Sequence, residues 1–505
     1  MTALCACFGT LATIAFAADQ SQWGRAWSRN MVSNERGLPD SFDPKTGRNI
    51  RWIAPLGTET HATPVVAGGR VYIGTNNGRP RDPRNQGDRG VLLCLDEKTG
   101  EFLWQLAVPK IKTSVYWDWP NAGICSPPSV EGDRVYLVSN RGEVLCLDAR
   151  GMANGNDGSF RDEAKHCVPP GETPIEPGKT DADIVWLFDM IKDLGVRQHD
   201  SAHASILVHG DFLYANTSNG VDDTHKQIHS PDAPSLVVLE KSSGRLVGRD
   251  DEHIGPDVFH STWSSPALAE IGGRPLVVFC GGNGVVYAFE PLKNVPPAGE
   301  VAKLTTVWQF DFDPAGPKTN IHEFLRNRGV SPSNMHGMPV LDGNRLYVAG
   351  GGDLWWGKNE AWLKCIDATG RGDVTRSAQV WSYALEKHVM ATPAVWRGLV
   401  FTTDCGHKLH CVDAATGKAL WTHDAGAEVW ASPLVADGKV WFATRRGEIF
   451  IFAADKEKKL LSQTNLGDAI SGTPVAANGT LYFTTMKNLY AIASGALLPV
   501  PGRKE

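Results

Sequence analysis

CVDAATGKALW (Cys411–Trp421) and CLDEKTGEFLW (Cys94–Trp104) are one phrase written twice in the same chain. Weaker copies stand at CLDARG from Cys146, LEKSSGRLV from Leu239 and CIDATG from Cys365. A second phrase precedes each copy: Thr or Ser before a Pro, a short apolar run, a Gly turn, then a Val/Leu-Tyr/Phe/Trp pair. Self-similarity at a period of a few tens of residues marks an array of one small supersecondary unit.

The second phrase can be read eight times, at Pro64, Pro127, Ser205, Pro266, Pro339, Pro393, Pro433 and Pro474. The last two intervals, 40 and 41 residues, are uninterrupted, and the longer ones carry insertions. In ASPLVADGKVWFATRRGEIFIFAAD (Ala431–Asp455), two alternating apolar runs flank an Asp437-Gly438 turn, and a third follows Arg446-Gly447. Such runs with such turns are antiparallel strands joined by hairpins. The run ending at Trp421 supplies a fourth strand. Four strands in about 40 residues is the signature of a propeller blade. A β-sandwich also repeats short strands, but it does not repeat one phrase eight times.

The eighth unit ends at LYAIASG (Leu489–Gly495) without the Asp-x-x-Thr-Gly…Trp ending, which stands at the other end of the chain as DPKTGRNIRW (Asp43–Trp52). An open ring would leave sheet edges unpaired. The expected fold is therefore all-β: an eight-bladed β-propeller of four-stranded antiparallel blades, residues 43–494, closed by the N-terminal segment. Residues 18–42 are then an N-terminal segment and residues 495–505 a C-terminal tail.

The Asp-x-x-Thr-Gly-x-x-x-Trp phrase resembles the docking motif of the PQQ-like (pyrroloquinoline quinone repeat) β-propeller family, in the quinoprotein alcohol dehydrogenase-like superfamily. The resemblance implies that a Trp wedges between adjacent blades: Trp52, Trp104 and Trp421, with Trp186, Trp308 and Trp381 in degenerate copies. It is specific for fold over roughly residues 43–494. The family includes both quinoprotein dehydrogenases and scaffolds of outer-membrane assembly, so function must be argued from the site.

A net charge of −6 with no Lys/Arg cluster gives no field for nucleic acid. Residues 1–17 are small and apolar and end in the small-x-small AFA (Ala15–Ala17), which reads as a signal peptide. No later run approaches the ~20 apolar residues of a membrane helix. The expectation is an exported protein, periplasmic or secreted, that does not span a membrane. Of ten cysteines, Cys5 and Cys7 fall in the signal, and Cys94, Cys146, Cys365 and Cys411 share one strand position in different blades. Those four are expected as buried thiols, with Cys125–Cys167 one pair that could bond. Without Cys-x-x-Cys-His there is no covalent haem.

The residue five or six places before each of the eight markers, Pro64 to Pro474, is polar in every unit: Glu59, Asn121, His199, His260, Asn334, His388, Glu428 and Asp468. His61, Asp200, His203, Trp263, His336 and Trp430 stand nearby. These fourteen should converge at one channel mouth, a ligand pocket; the competing reading is that they serve strand ends and ordered water. Insertions 75–89, 220–234 and 351–361 should wall that mouth, the last with Trp355 and Trp356, and Ser114–Gly123 should add Tyr116, Trp117 and Trp119. Insertions 151–183 and 291–306 should project from the opposite face.

Two functions follow. The preferred one is a scaffold that binds a protein partner or small ligand at the mouth. The alternative is a PQQ-dependent dehydrogenase of alcohols or sugars, with Ca²⁺ held by oxygens among Glu59, Asn121, Asp200, Asn334, Glu428 and Asp468. The quinoprotein alcohol dehydrogenases carry an adjacent cysteine pair beside the cofactor, and this chain has no Cys-Cys dipeptide. A His-rich mouth suits a transition metal better, with His199, His260 and His388 as candidate ligands.

Overall fold

The computed structural model describes residues 18–499. The signal-peptide reading, with Cys5 and Cys7, lies outside the described residues. Eight antiparallel sheets follow one another around an axis, each starting with a short innermost strand: Val65–Ala67, Ser129–Glu131, Leu207–His209, Ala267–Ile271, Val340–Asp342, Ala394–Trp396, Leu434–Ala436 and Val475–Ala477. We number the blades 1 to 8 in that order. Every sequence marker sits one or two residues before its innermost strand, so the repeat count and the blade count agree.

Ring closure is as the split phrase predicts. Arg48–Pro55 is the outermost strand of blade 8, antiparallel to Asn488–Leu497, with Ile50 opposite Ile492 and Trp52 opposite Ala491. The Trp of each phrase reaches the next blade. The indole N–H groups of Trp52, Trp104, Trp186, Trp381 and Trp421 donate to the carbonyls of Glu97, Ala149, Lys241, Ala414 and Asp455, at 3.0–3.2 Å. Trp308 is fully buried, but its N–H has no partner among the described residues. The Gly of the phrase makes room for this contact. A Cβ on Gly100 or Gly417 would fall 2.6 Å from the Trp52 or Trp381 ring, and both glycines hold a left-handed φ, 74° and 72°. Thus the Thr-Gly turn of one blade is shaped to receive the Trp of the blade before it.

Cys94, Cys146, Cys365 and Cys411 each lie directly opposite a docking Trp in the third strand. Burial pushes the Cys146 and Cys411 thiols up to about 12, which keeps them protonated and inert. All eight cysteines among the described residues are free. Cys125 and Cys167 are not bonded; each thiol instead faces backbone carbonyls in its own segment.

The two long insertions do not project from the far face. Ala302–Lys303 pairs in parallel with the outermost strand of blade 3, and Gly372–Asp373 does the same on blade 4. In insertion 151–183, Asp181 bridges Gln105 on blade 1 in the same parallel sense. In each case a loop of the next blade covers an edge strand that would otherwise offer free backbone groups. Insertion 151–183 then climbs the outer wall, where the Arg89 guanidinium donates to the Cys167 carbonyl.

That insertion is anchored by Glu143, which is buried and accepts from Ser139 Oγ (2.8 Å), His166 Nε2 (3.0 Å) and Arg141 (3.0 Å). Burial alone would raise its pKa, but the His166 ring, Arg141 and the Ser139 hydroxyl together hold the carboxyl down to about 2. A depressed folded-state pKa gives stability that is present above the ordinary value and is lost as pH falls through the folded one. The drop from 4.5 to about 2 corresponds to about 3 kcal/mol. The stability advantage of wild type over Glu143→Gln should therefore shrink by about that amount between pH 5 and pH 2 in acid-unfolding titrations. A constant advantage across that range would show that the carboxylate is not held by these partners.

The N-terminal segment does what no repeat announces. The innermost strands present backbone groups to the axis with no further strand to pair them. Residues 20–33 cross the channel and meet every blade. Gln20 accepts from Val66 N (3.0 Å), Ser21 from Val130 N (2.8 Å), Trp27 from Leu268 N (3.0 Å), Ser28 from Leu341 N (3.1 Å) and Met31 from Val435 N (2.9 Å). The Asn30 amide pairs with both backbone groups of Val395, and Ser33 Oγ donates to Ala476 O. Blade 3 is reached by Arg29, whose guanidinium donates to the Ser205 and Ile206 carbonyls, and to Pro266 and Trp23 as well. The channel is a closed cup rather than a through-pore.

Candidate functional site

The open end of that cup is a cavity of about 490 Å³ with Trp23, Thr63, Met390, Ser471 and Thr473 among its lining residues. Trp23 brings the crossing segment to it and is pinned there by its indole N–H on Thr473 Oγ1 (3.1 Å). Indole and phenol rings make up much of the rest: Tyr116, Trp119, Trp263, Trp355, Trp356 and Trp430. Of the fourteen residues expected at the mouth, Glu59, His61, Asp200, His203, Trp263, His336 and Trp430 line this cavity.

His199 and His260 are buried directly behind that wall. The remaining five serve the strands around it. Asn121 is exposed, and its carbonyl accepts from Asn76. The Asn334 side chain bonds Ser261 O and Met335 N. His388 turns toward Arg328 at 3.4 Å. The Glu428 carbonyl accepts from Arg445 N, and the Asp468 carboxylate holds Ala469 N and Lys487 N.

Three non-repeating loops build one wall. Ser114–Gly123 is tied down where Asp200 N donates to Tyr116 O (2.5 Å) and Gln198 Nε2 to Trp117 O (2.6 Å). Loop 217–235 brings in His225, which the repeat offset does not identify. Loop 352–360 brings in Asp353, Trp355 and Trp356. The buried Asp353 carboxylate accepts from Trp355 N and Trp356 N (2.9 Å each), from His260 Nδ1 (2.9 Å) and from His336 Nε2 (3.1 Å). Burial would raise Asp353, yet the His260 and His336 rings hold it well below the usual carboxylate range.

His199, His225 and His260 converge so that their ring nitrogens lie within 4.8 Å of one another. His199 Nε2 and His225 Nε2 are 3.0 Å apart, and His199 Nδ1 donates to Val221 O at 2.9 Å. The Asp200 carboxylate stands 3.8 Å from His199 Nε2 and 3.6 Å from His260 Nε2. Burial pushes Asp200 up to about 6. His199 is driven well below the usual range by burial and by the two neighbouring rings. Burial, with the His260 ring, brings His225 down to about 4. Burial opposes charge on His260 too, but Asp353 overcomes it and raises that ring. On the other side of the cavity, His61 Nε2 meets Glu59 at 2.8 Å and Arg445 lies over the Trp430 ring at 4.4 Å.

A cofactor of the quinone class does not fit this donor set. Such a flat tricarboxylate needs several cations or donors on its carboxylates and an oxygen-rich cradle for its metal. Among the described residues, Arg445 is the only Arg or Lys lining the cavity. Of the oxygen ligands expected from sequence, only Glu59 and Asp200 reach it, while the clustered metal donors are imidazole nitrogens.

Eight four-stranded blades, with a Trp from six of them docked on the next blade, define a PQQ-repeat β-propeller. A family model described as "Outer membrane protein assembly factor BamB" matches residues 35–294 and 359–460, and the chain belongs to that family. Among solved structures it is similar to BamB from Moraxella catarrhalis, at 12% identity and a TM-score of 0.53, covering 89% of this chain and 99% of that one. It also matches a europium-containing methanol dehydrogenase (12% identity, TM-score 0.48, 94% and 98% covered). A third match is the quinohemoprotein alcohol dehydrogenase from Comamonas testosteroni (12% identity, TM-score 0.49, 96% and 82% covered). At 12% identity the likeness to BamB is one of fold alone. No curated protein matches the chain. No helix among the described residues is long and apolar enough to cross a membrane.

Proposed function

We propose that this propeller is an exported binding protein that captures a small polar ring compound, of the mono- or disaccharide class, in the aromatic cup on its site face. The observation that carries the reading is the cup itself, closed below by residues 20–33 and walled by indoles. A cavity of about 490 Å³ lies within the ordinary span for small-molecule sites. Indole faces stack on the C–H faces of sugar rings, while Glu59, His61, Asp200 and Arg445 offer edge donors and acceptors for hydroxyls. A second reading, a protein partner at the same mouth, is supported by Val115 and Trp119, 52% and 45% exposed on the rim loop. Export rests on the apolar residues 1–17, and mass spectrometry of secreted protein should find a mature N-terminus near residue 18.

The ligand reading is tested by titrating intrinsic tryptophan fluorescence with a panel of mono- and disaccharides, followed by calorimetry on any that respond. A saccharide should bind, and replacing Trp355 and Trp430 together by Ala should weaken it at least about tenfold, since a stacked aromatic contact contributes on the order of 1 kcal/mol beyond its buried area. Silence across the panel, with capture of a protein that Trp119→Ala abolishes, would transfer the site to the partner reading.

A further inference from the structure

We propose that His199, His225 and His260 form a three-imidazole site for a divalent transition cation of the zinc and copper class, with Asp200 on its open side toward the cup. The proposal stands apart from the saccharide reading, because it concerns a metal and not the organic ligand.

Four observations carry it. First, three nitrogen donors converge within 4.8 Å, each ring coming from a different segment: His199 ahead of blade 3, His225 from loop 217–235 and His260 ahead of blade 4. Second, the outward nitrogens of two rings are committed elsewhere: His199 Nδ1 to Val221 O and His260 Nδ1 to the Asp353 carboxylate, both at 2.9 Å. A carbonyl or carboxylate on the far nitrogen is the arrangement that fixes tautomer and ring direction in metal-binding histidines. It leaves Nε2 of both rings as lone-pair donors aimed at one point.

Third, the buried His260 Nε2 and the Asp200 Oδ1 have no hydrogen-bond partner among the described residues. A buried polar atom without a partner calls for an explanation, and an ion is one that fits the whole cluster. Fourth, Asp200 and Ser201 hold left-handed φ angles of 55° and 74°, and Asp200 N is tied to Tyr116 O. The backbone accepts that strain where it turns the carboxylate toward the imidazoles.

Imidazole donors select zinc, copper, nickel or iron over calcium and magnesium. Three protein ligands with an open position are the arrangement of a zinc site that still accepts water or a ligand oxygen. His225 and Asp200 both line the cup, so that position faces it. His388, the third ligand expected from the repeat offset, sits two blades beyond His260 and faces Arg328 instead.

The test uses the full mature chain, stripped with a chelator and titrated with Zn²⁺ and, separately, Co²⁺. We expect one equivalent of Zn²⁺ bound in calorimetry and a rise in melting temperature, because the cation binds only the assembled site. His225→Ala, a loop substitution, should weaken Zn²⁺ binding at least about 100-fold, whereas His388→Ala should leave it within about twofold; outer partners alone are worth 10–100-fold. If His225→Ala disturbs folding, the Co²⁺ spectrum of the wild-type protein decides. Visible d–d bands of a nitrogen/oxygen site, without thiolate charge transfer, support the proposal. No Zn²⁺ binding, equal loss in His388→Ala, or a Co²⁺ spectrum of the hexa-aquo ion would overturn it.

Discussion

Replacing Arg29 by alanine is expected to lower the unfolding free energy by about 4 kcal/mol or more. The residue is fully buried on the ring axis, and its guanidinium donates to the Trp23, Ser205, Ile206 and Pro266 carbonyls and to Ser205 Oγ. Burial brings it down to about 9, so it remains charged at neutral pH. Removing it leaves several buried carbonyls without a donor, each costing about 1–3 kcal/mol where water cannot replace it. Arg29→Lys keeps the charge but not the planar fork that spans blades 3 and 4. It should recover only part of the loss in a denaturant titration. A loss below about 1 kcal/mol for Arg29→Ala would mean that water enters the channel freely, and that residues 20–33 rest on the ring without holding it.

Trp104→Ala should cost about 3–5 kcal/mol, and Trp421→Ala about 3 kcal/mol, measured as the shift in urea midpoint at constant slope. Trp104 is 1% exposed and packs against Tyr72 of its own blade, with centroids 6.0 Å apart, while donating to Ala149 O of the next. Trp421 keeps the same bond to Asp455 O but is 8% exposed and has no Gly turn beneath it, whereas Trp104 sits against Gly151, which places Trp421 at the lower end. Each substitution removes a wedge between two blades, so the loss combines transfer of an indole to water with a cavity that two rigid sheets close poorly. Equal, small losses at both positions would show that the blades dock through their inner strands alone.

The blades were legible because everything that makes one is local. Asp-Gly turns, alternating apolar runs and the Thr-Gly…Trp phrase recur within about 40 residues, and each speaks for its own hairpin. Even the closure could be read, since the phrase missing after Leu489–Gly495 is present at Asp43–Trp52. Part of the cup's surroundings was legible for the same reason: one offset before each innermost-strand marker picks out Glu59, which lines the cup, and His199 and His260, which lie buried behind its wall.

The same offset failed at Asn121, Asn334, His388, Glu428 and Asp468. Equivalent positions lie on a circle, and equivalence does not say which side chains turn inward. His199 and His260 meet because blades 3 and 4 are neighbours, while His388, on blade 6, turns to Arg328. His225 and Asp353 carry no periodic signal, because they lie in loops that only their own blades possess. Each joins the cluster across a large sequence separation, as in the 93 residues between His260 and Asp353. The crossing of residues 20–33 was equally invisible. Its partners are backbone groups left unpaired on eight inner strands, and a sequence does not display an unpaired backbone.

By itself, then, the sequence determined the repeating unit, the number of units and the way the ring closes, because hairpin geometry and blade docking are written in short-range phrases. The tertiary structure alone decided that the channel is plugged, that His199, His225 and His260 converge, and that two carboxylates and seven large aromatic rings line one cup beside them. Those facts depend on what an eight-fold ring brings to its axis from loops that do not repeat.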